Sequence, residues 1–89
     1  MPSSPAGVVS VTGTGTVLTG AGVYKGLSIK STTAGTLRVF DNTAASGPLL
    51  AIFELAAGAV ANESLEAGVN FTKGLHIAGP GVLEGSVRI

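Results

Sequence analysis

The chain has 89 residues, 45% of them hydrophobic and only 11% charged, with five Lys/Arg set against five Asp/Glu and no cysteine. Such a length allows one domain that buries roughly 60 to 65% of its unfolded surface. The charge content lies far below the roughly 25% of ordinary soluble domains and leaves too few charges to coat an isolated globule. Lys25, Lys30, Arg38, Lys73 and Arg88 are scattered, so the cationic stripe needed for nucleic acid is missing, and without cysteine there is no disulfide framework or thiolate metal site.

The opening "MPSSPAGVVSV" has no basic segment followed by an apolar one, and no apolar run approaches the eighteen or more residues of a spanning helix. The expectation is a chain made in a cytoplasm, neither exported nor membrane-inserted. Pro2 and Pro5 cannot donate ladder hydrogen bonds, and "GVVSVTGTGTVLTGAG" mixes β-branched residues with glycine and threonine. Residues 1–21 are therefore expected to form an extended arm, partly strand, whose Val8, Val9, Val11, Val17 and Leu18 become buried on a partner.

Residues 22–89 are expected to form a β-sandwich domain. Period-two alternation puts Val23, Leu27 and Ile29 on one face and Tyr24, Ser28 and Lys30 on the other, with Lys25 as the exception. "TLRVFD" then sets Leu37 and Val39 against Arg38 and Phe40, and the small polar loop "NTAASG" leads through Pro48 into "LLAIFEL", which reads as a hairpin. The parity of Glu54 turns Leu49, Ala51, Phe53 and Leu55 inward and leaves Leu50 and Ile52 outside. An outer cluster of Phe40, Leu50 and Ile52 on a low-charge domain marks a contact surface, and a homo-oligomer, a trimer first, is expected.

"AAGAVANESLEAG" has helix-favouring alanines and glutamates, but a helical face through Leu55, Ala59, Asn62 and Glu66 would bury polar groups, so a loop and short strand are expected. "VNF", "KGLHI" and "VLEGSVRI" follow as separate strands, with Leu75, Ile77, Leu83, Val87 and Ile89 on the inward parity and a turn at Gly79-Pro80-Gly81. Seven or eight short strands without a convincing helix make the fold class all-β, an antiparallel β-sandwich or small jelly-roll-like barrel.

Little in the chain can do chemistry. His76, the only histidine, lies on the parity opposite Leu75 and Ile77 with no Cys, Asp or Glu nearby in sequence, so an exposed or interface residue is expected rather than a metal ligand. A triad of His76, Asp41 and a serine lacks any G-x-S-x-G elbow. Asp41, Glu54, Glu63, Glu66 and Glu84 read as surface acids, and Asp41-Asn42-Thr43 as an Asx-type turn rather than a calcium loop. "GTGTVLTG" lacks dinucleotide-binding spacing, and few aromatics are present to stack sugars. No catalytic residue, cofactor or metal is expected.

Gly68-Val69-Asn70-Phe71-Thr72-Lys73-Gly74-Leu75, followed by Gly81-Val82-Leu83-Glu84-Gly85-Ser86-Val87, resembles a G-V/L-x-F-x-x-G-L … G-x-x-x-G-x-V pattern of small all-β virion structural proteins of tailed bacteriophages. "YKGLSI" and "GTLRVFDNTAASGPLLA" are similar to the strand, hairpin and turn that precede it there, so the likeness spans Tyr24 to Ile89. It implies a non-enzymatic virion component, first a capsid decoration or cement protein that stabilises the assembled head as a symmetric oligomer. The implied partner is the major capsid protein or another virion protein, with no nucleic acid or membrane. The alternative it leaves open is a receptor- or glycan-binding module of a tail, fibre or neck.

Overall fold

Strands form where β-branched and large apolar residues alternate with small or polar ones, because each pleat then buries one face and solvates the other. The computed structural model describes residues 7–89. Its strands are β1 (Val8–Val11), β2 (Gly15–Thr19), β3 (Gly22–Ser31), β4 (Gly35–Phe40), β5 (Leu49–Leu55), β6 (Val60–Phe71), β7 (Gly74–Ala78) and β8 (Leu83–Arg88). They make two four-stranded sheets, ordered β1-β8-β3-β6 and β2-β7-β4-β5, with antiparallel neighbours. Only β4 and β5 are consecutive strands paired in one sheet; each other connection crosses the sandwich, which is the strand order of a jelly roll. No helix occurs among the described residues, so the all-β expectation holds.

The core is a single apolar layer. Leu27, Ile29, Leu83 and Val87 from the first sheet meet Leu37, Val39, Leu75 and Ile77 from the second, and each is at most 1% exposed. Sealing a side chain of this size contributes about 1.5 to 3 kcal/mol. Ala51, Phe53, Leu55, Leu65 and Ile89 pack against the margin of that layer.

Four sequence expectations need correction. Tyr24 faces inward and is fully buried, because β3 shifts register against β6 between Tyr24 and Gly26 and so reverses its parity before Leu27. Leu50 and Leu49 exchange roles at a second shift, between Val39 and Phe40 of β4: Leu50 packs against the core while Leu49 is exposed. The expected loop is present at residues 56–59, but the short strand after it and the separate "VNF" strand are one 12-residue strand, β6. Finally, the arm proposed for residues 1–21 contains β1 and β2, which pair with β8 and β7 as edge strands of the two sheets. Val11 belongs to the core cluster, and Val17 and Leu18 pack against it. Pro2 and Pro5 lie outside the described residues.

The re-phasing at β3 depends on Gly26. Its φ of +131° favours glycine, and a Cβ there would collide with the Glu63 carbonyl oxygen. Gly13, by contrast, has open space around it and no such φ. Gly26→Ala is expected to destabilise the fold by about 2 kcal/mol or more, whereas Gly13→Ala should stay within about 0.5 kcal/mol. Urea unfolding of the two variants measures this, and equal effects would contradict the role given to Gly26.

Candidate functional site

The polar groups with chemical potential are mostly engaged inside the chain. Asp41, at the end of β4, accepts hydrogen bonds from the backbone N–H of Thr72 (3.0 Å) and Lys73 (2.9 Å) and so ties the β6–β7 turn to the β4–β5 hairpin. The Lys73 N–H, opposed by some desolvation and aided by the N–H groups of Thr72 and Gly74 and the Thr72 hydroxyl, holds this carboxyl below its usual 3.8. Next to it, the Asn42 side chain accepts from the Thr43 N–H and donates to the Ser46 carbonyl, which closes the loop without the bond to the N–H two residues on that an Asx turn requires.

That loop covers the outer side of β4 and β7. His76 and Phe40 are register partners with ring centroids 6.5 Å apart, and they are only 9% and 8% exposed. The exposed histidine expected from parity is thus covered. Thr16 Oγ1 lies 3.0 Å from both the Thr43 carbonyl and His76 Nδ1. A hydroxyl has one proton, so both contacts are satisfied when Thr16 donates to Thr43 and His76 carries its proton on Nδ1. The side chain joined to His76 is therefore a threonine, not the serine and acid that a hydrolase triad requires.

Inside the first sheet, Tyr24 donates its hydroxyl to Glu63 Oε1 at 2.8 Å. Burial first, then the hydrogen bond and charge of Glu63, push the phenol above its usual 10.0, with Arg88 acting in the opposite sense. Glu63 shares the inward parity of its register partner Leu27 although it sits on an edge strand. Glu54 accepts from Thr36 at 3.1 Å. No group of three or more His, Cys, Asp or Glu able to hold a metal occurs among the described residues. None of the aromatic side chains is among the exposed large hydrophobics, so an open platform for a sugar ring is missing from the described surface.

What stays open is edge and groove. β5 and β6 are outermost on the same side of the sandwich and touch across it, and neither has a strand partner on its free side among the described residues. These two edges carry Leu49 (48% exposed), Ile52 (52%), Val60 (54%) and Val69 (40%). A long edge with exposed apolar side chains is a template for pairing or packing with another chain, and here Glu54, Glu63 and Glu66 lie on the same two strands. The outer face of the first sheet differs: Ser10, Ser86, Ser28 and Asn62 form one row of short polar side chains across all four strands.

Of the contact residues expected from sequence, the cluster of Phe40, Leu50 and Ile52 does not form, since Phe40 is covered, Leu50 packs against the core, and Ile52 alone is open. Val8 is exposed at 68% and Val9 half-buried, while Val11, Val17 and Leu18 serve this chain's own core. Sequence reasoning missed Leu49, Val60 and Val69, because their exposure depends on which strands end up at the sheet margins.

The depressed carboxyl of Asp41 gives stability that is complete above about pH 4 and is lost as pH falls through its folded value. Asp41→Asn should therefore melt at a lower temperature than the parent at neutral pH, with the gap closing toward pH 2. Parallel melting curves across that range, read by circular dichroism, would contradict the clamp.

No protein-family model, curated protein or solved structure matches this chain.

Proposed function

We propose that the protein is a non-enzymatic structural component of a phage virion, acting as a decoration or cement protein that self-associates symmetrically and binds the assembled head. The observation that carries this reading is the open β5/β6 edge, where Leu49, Ile52, Val60 and Val69 are exposed on strands that have a partner on one side only among the described residues. A domain with 11% charged residues has little else to keep such an edge soluble. The jelly-roll strand order supports the reading by analogy alone, since capsid and lectin domains both use it. Engagement of Asp41, His76, Tyr24 and Glu63 within the chain favours a scaffold over a catalyst.

Binding through this edge combines main-chain hydrogen bonds from an unpaired strand with the burial of alternate apolar side chains. Each contact is modest, but many copies on a symmetric shell act together against its expansion.

The test mixes the purified chain with undecorated heads and follows co-sedimentation and heat resistance. The parent chain should bind and raise the temperature at which heads rupture. Ile52→Asp should fold normally, since Ile52 is surface-exposed, yet lose at least about tenfold in affinity by placing a charge in a desolvated contact. Absence of binding by the parent rejects the decoration reading, and undiminished binding by Ile52→Asp rejects the edge.

A further inference from the structure

At one end of the first sheet, a groove of about 290 Å³ runs across all four strands, lined by Val8, Lys25, Ser64, Leu65, Arg88 and Ile89, together with Gly7. Its floor follows the register row Val8, Arg88, Gly26 and Ser64. Gly26 leaves that floor bare between Arg88 and Ser64, and the register shift beside it brings Lys25 onto the same side. Arg88 donates from Nη1 to the Glu63 carbonyl oxygen at 3.2 Å, which uses one of its five N–H donors. The Glu63 carboxylate is itself engaged by Tyr24. Two cations thus line a recess whose other walls are largely the apolar Val8, Leu65 and Ile89.

Directly beside the recess stands a protrusion. Between the pairs Tyr24–Val69 and Gly26–Ser64, β3 has only Lys25 while β6 has four residues, Leu65, Glu66, Ala67 and Gly68. Leu65 packs against the core, Glu66 and Ala67 are exposed, and Gly68 takes a φ of +77° as the chain returns to its register. An exposed carboxylate on a bump therefore adjoins a groove with a lysine and an arginine, on one surface of one chain.

We infer that the occupant of this groove is a second copy of the chain, docked about a two-fold axis so that Glu66 of each copy enters the groove of the other between Lys25 and Arg88. Neighbouring features of complementary shape and opposite charge become self-complementary under a two-fold rotation, which makes each contact twice. The exposed Ala67 comes with Glu66 and meets the apolar walls, so the bump matches the groove in polarity as well as charge. A net charge of zero adds no overall repulsion between copies. The contact rests on the self-association proposed above and specifies its symmetry as two-fold, in place of the three-fold expected from sequence.

Sedimentation velocity on the full chain tests it through charge reversal and rescue. Glu66→Lys and Lys25→Glu should each weaken association at least about tenfold, with unchanged far-UV circular dichroism. The double variant Lys25→Glu/Glu66→Lys should recover most of the loss, which a merely destabilised fold would not do. A parent chain that stays monomeric up to roughly 100 μM, against the micromolar range of ordinary protein contacts, rejects self-association and this contact together. A parent that associates while both single variants associate equally well, a double variant that fails to recover, or a closed three-membered parent assembly each rejects the two-fold contact alone.

Discussion

One apolar layer, a single side chain deep from each sheet, sets the phase of all eight strands. Because successive strand residues point to opposite faces, a strand contributes to this layer only while its parity is right. Leu27 with Ile29, Leu37 with Val39 and Leu75 with Ile77 satisfy that requirement directly. Where it would fail, the chain inserts an irregularity. The shift at Tyr24–Gly26 lets both Tyr24 and Leu27 face inward despite their odd spacing, and it produces the bump on β6 as its counterpart. The groove, the bump and the placement of Lys25 are thus consequences of keeping one core layer continuous.

This origin explains what was legible in the residues beforehand. The inward sets of β4, β7 and β8 follow from simple alternation, and Leu37, Val39, Leu75, Ile77, Leu83 and Val87 are buried as the pattern requires. Simple alternation puts Tyr24 and Leu50 on the wrong faces because a register shift reverses parity without a unique local signature, although a glycine inside a strand, as at Gly26, is the usual hint. The continuity of β6 is hidden in the residues because its four-residue bump interrupts the alternation around Gly68. β1 and β2 look like an arm in the sequence since their partners, β8 and β7, lie near the other end of the chain, and such long-range pairing leaves no trace in short Gly/Thr-rich segments. The covering of His76 and Phe40 depends on the hairpin loop folding back, again a tertiary effect.

The same layer also limits what the domain can do. Several of its titratable groups hold turns and edges together, as Asp41 does for the β6–β7 turn. Its unused capacity lies at the margins, in the open edges of β5 and β6 and in the groove at the end of the first sheet. Edges of this kind are hazards for a monomer and assets for an assembling subunit, because strand pairing adds directional hydrogen bonds to apolar burial. Under the proposed function the two margins act separately, the groove between copies and the edge toward a larger particle.

Amide hydrogen exchange on the free chain and on the chain bound to its particle addresses the central claim most directly, because it reports each strand's backbone protection. The account requires that the amides of β5 and β6 directed away from β4 and β3 exchange readily in the free chain and become protected on assembly, while β3, β7 and β8 are protected in both states. Protection gained at β1 and β2 instead, with β5 and β6 unchanged, would contradict the assignment of the open edge as the assembly surface.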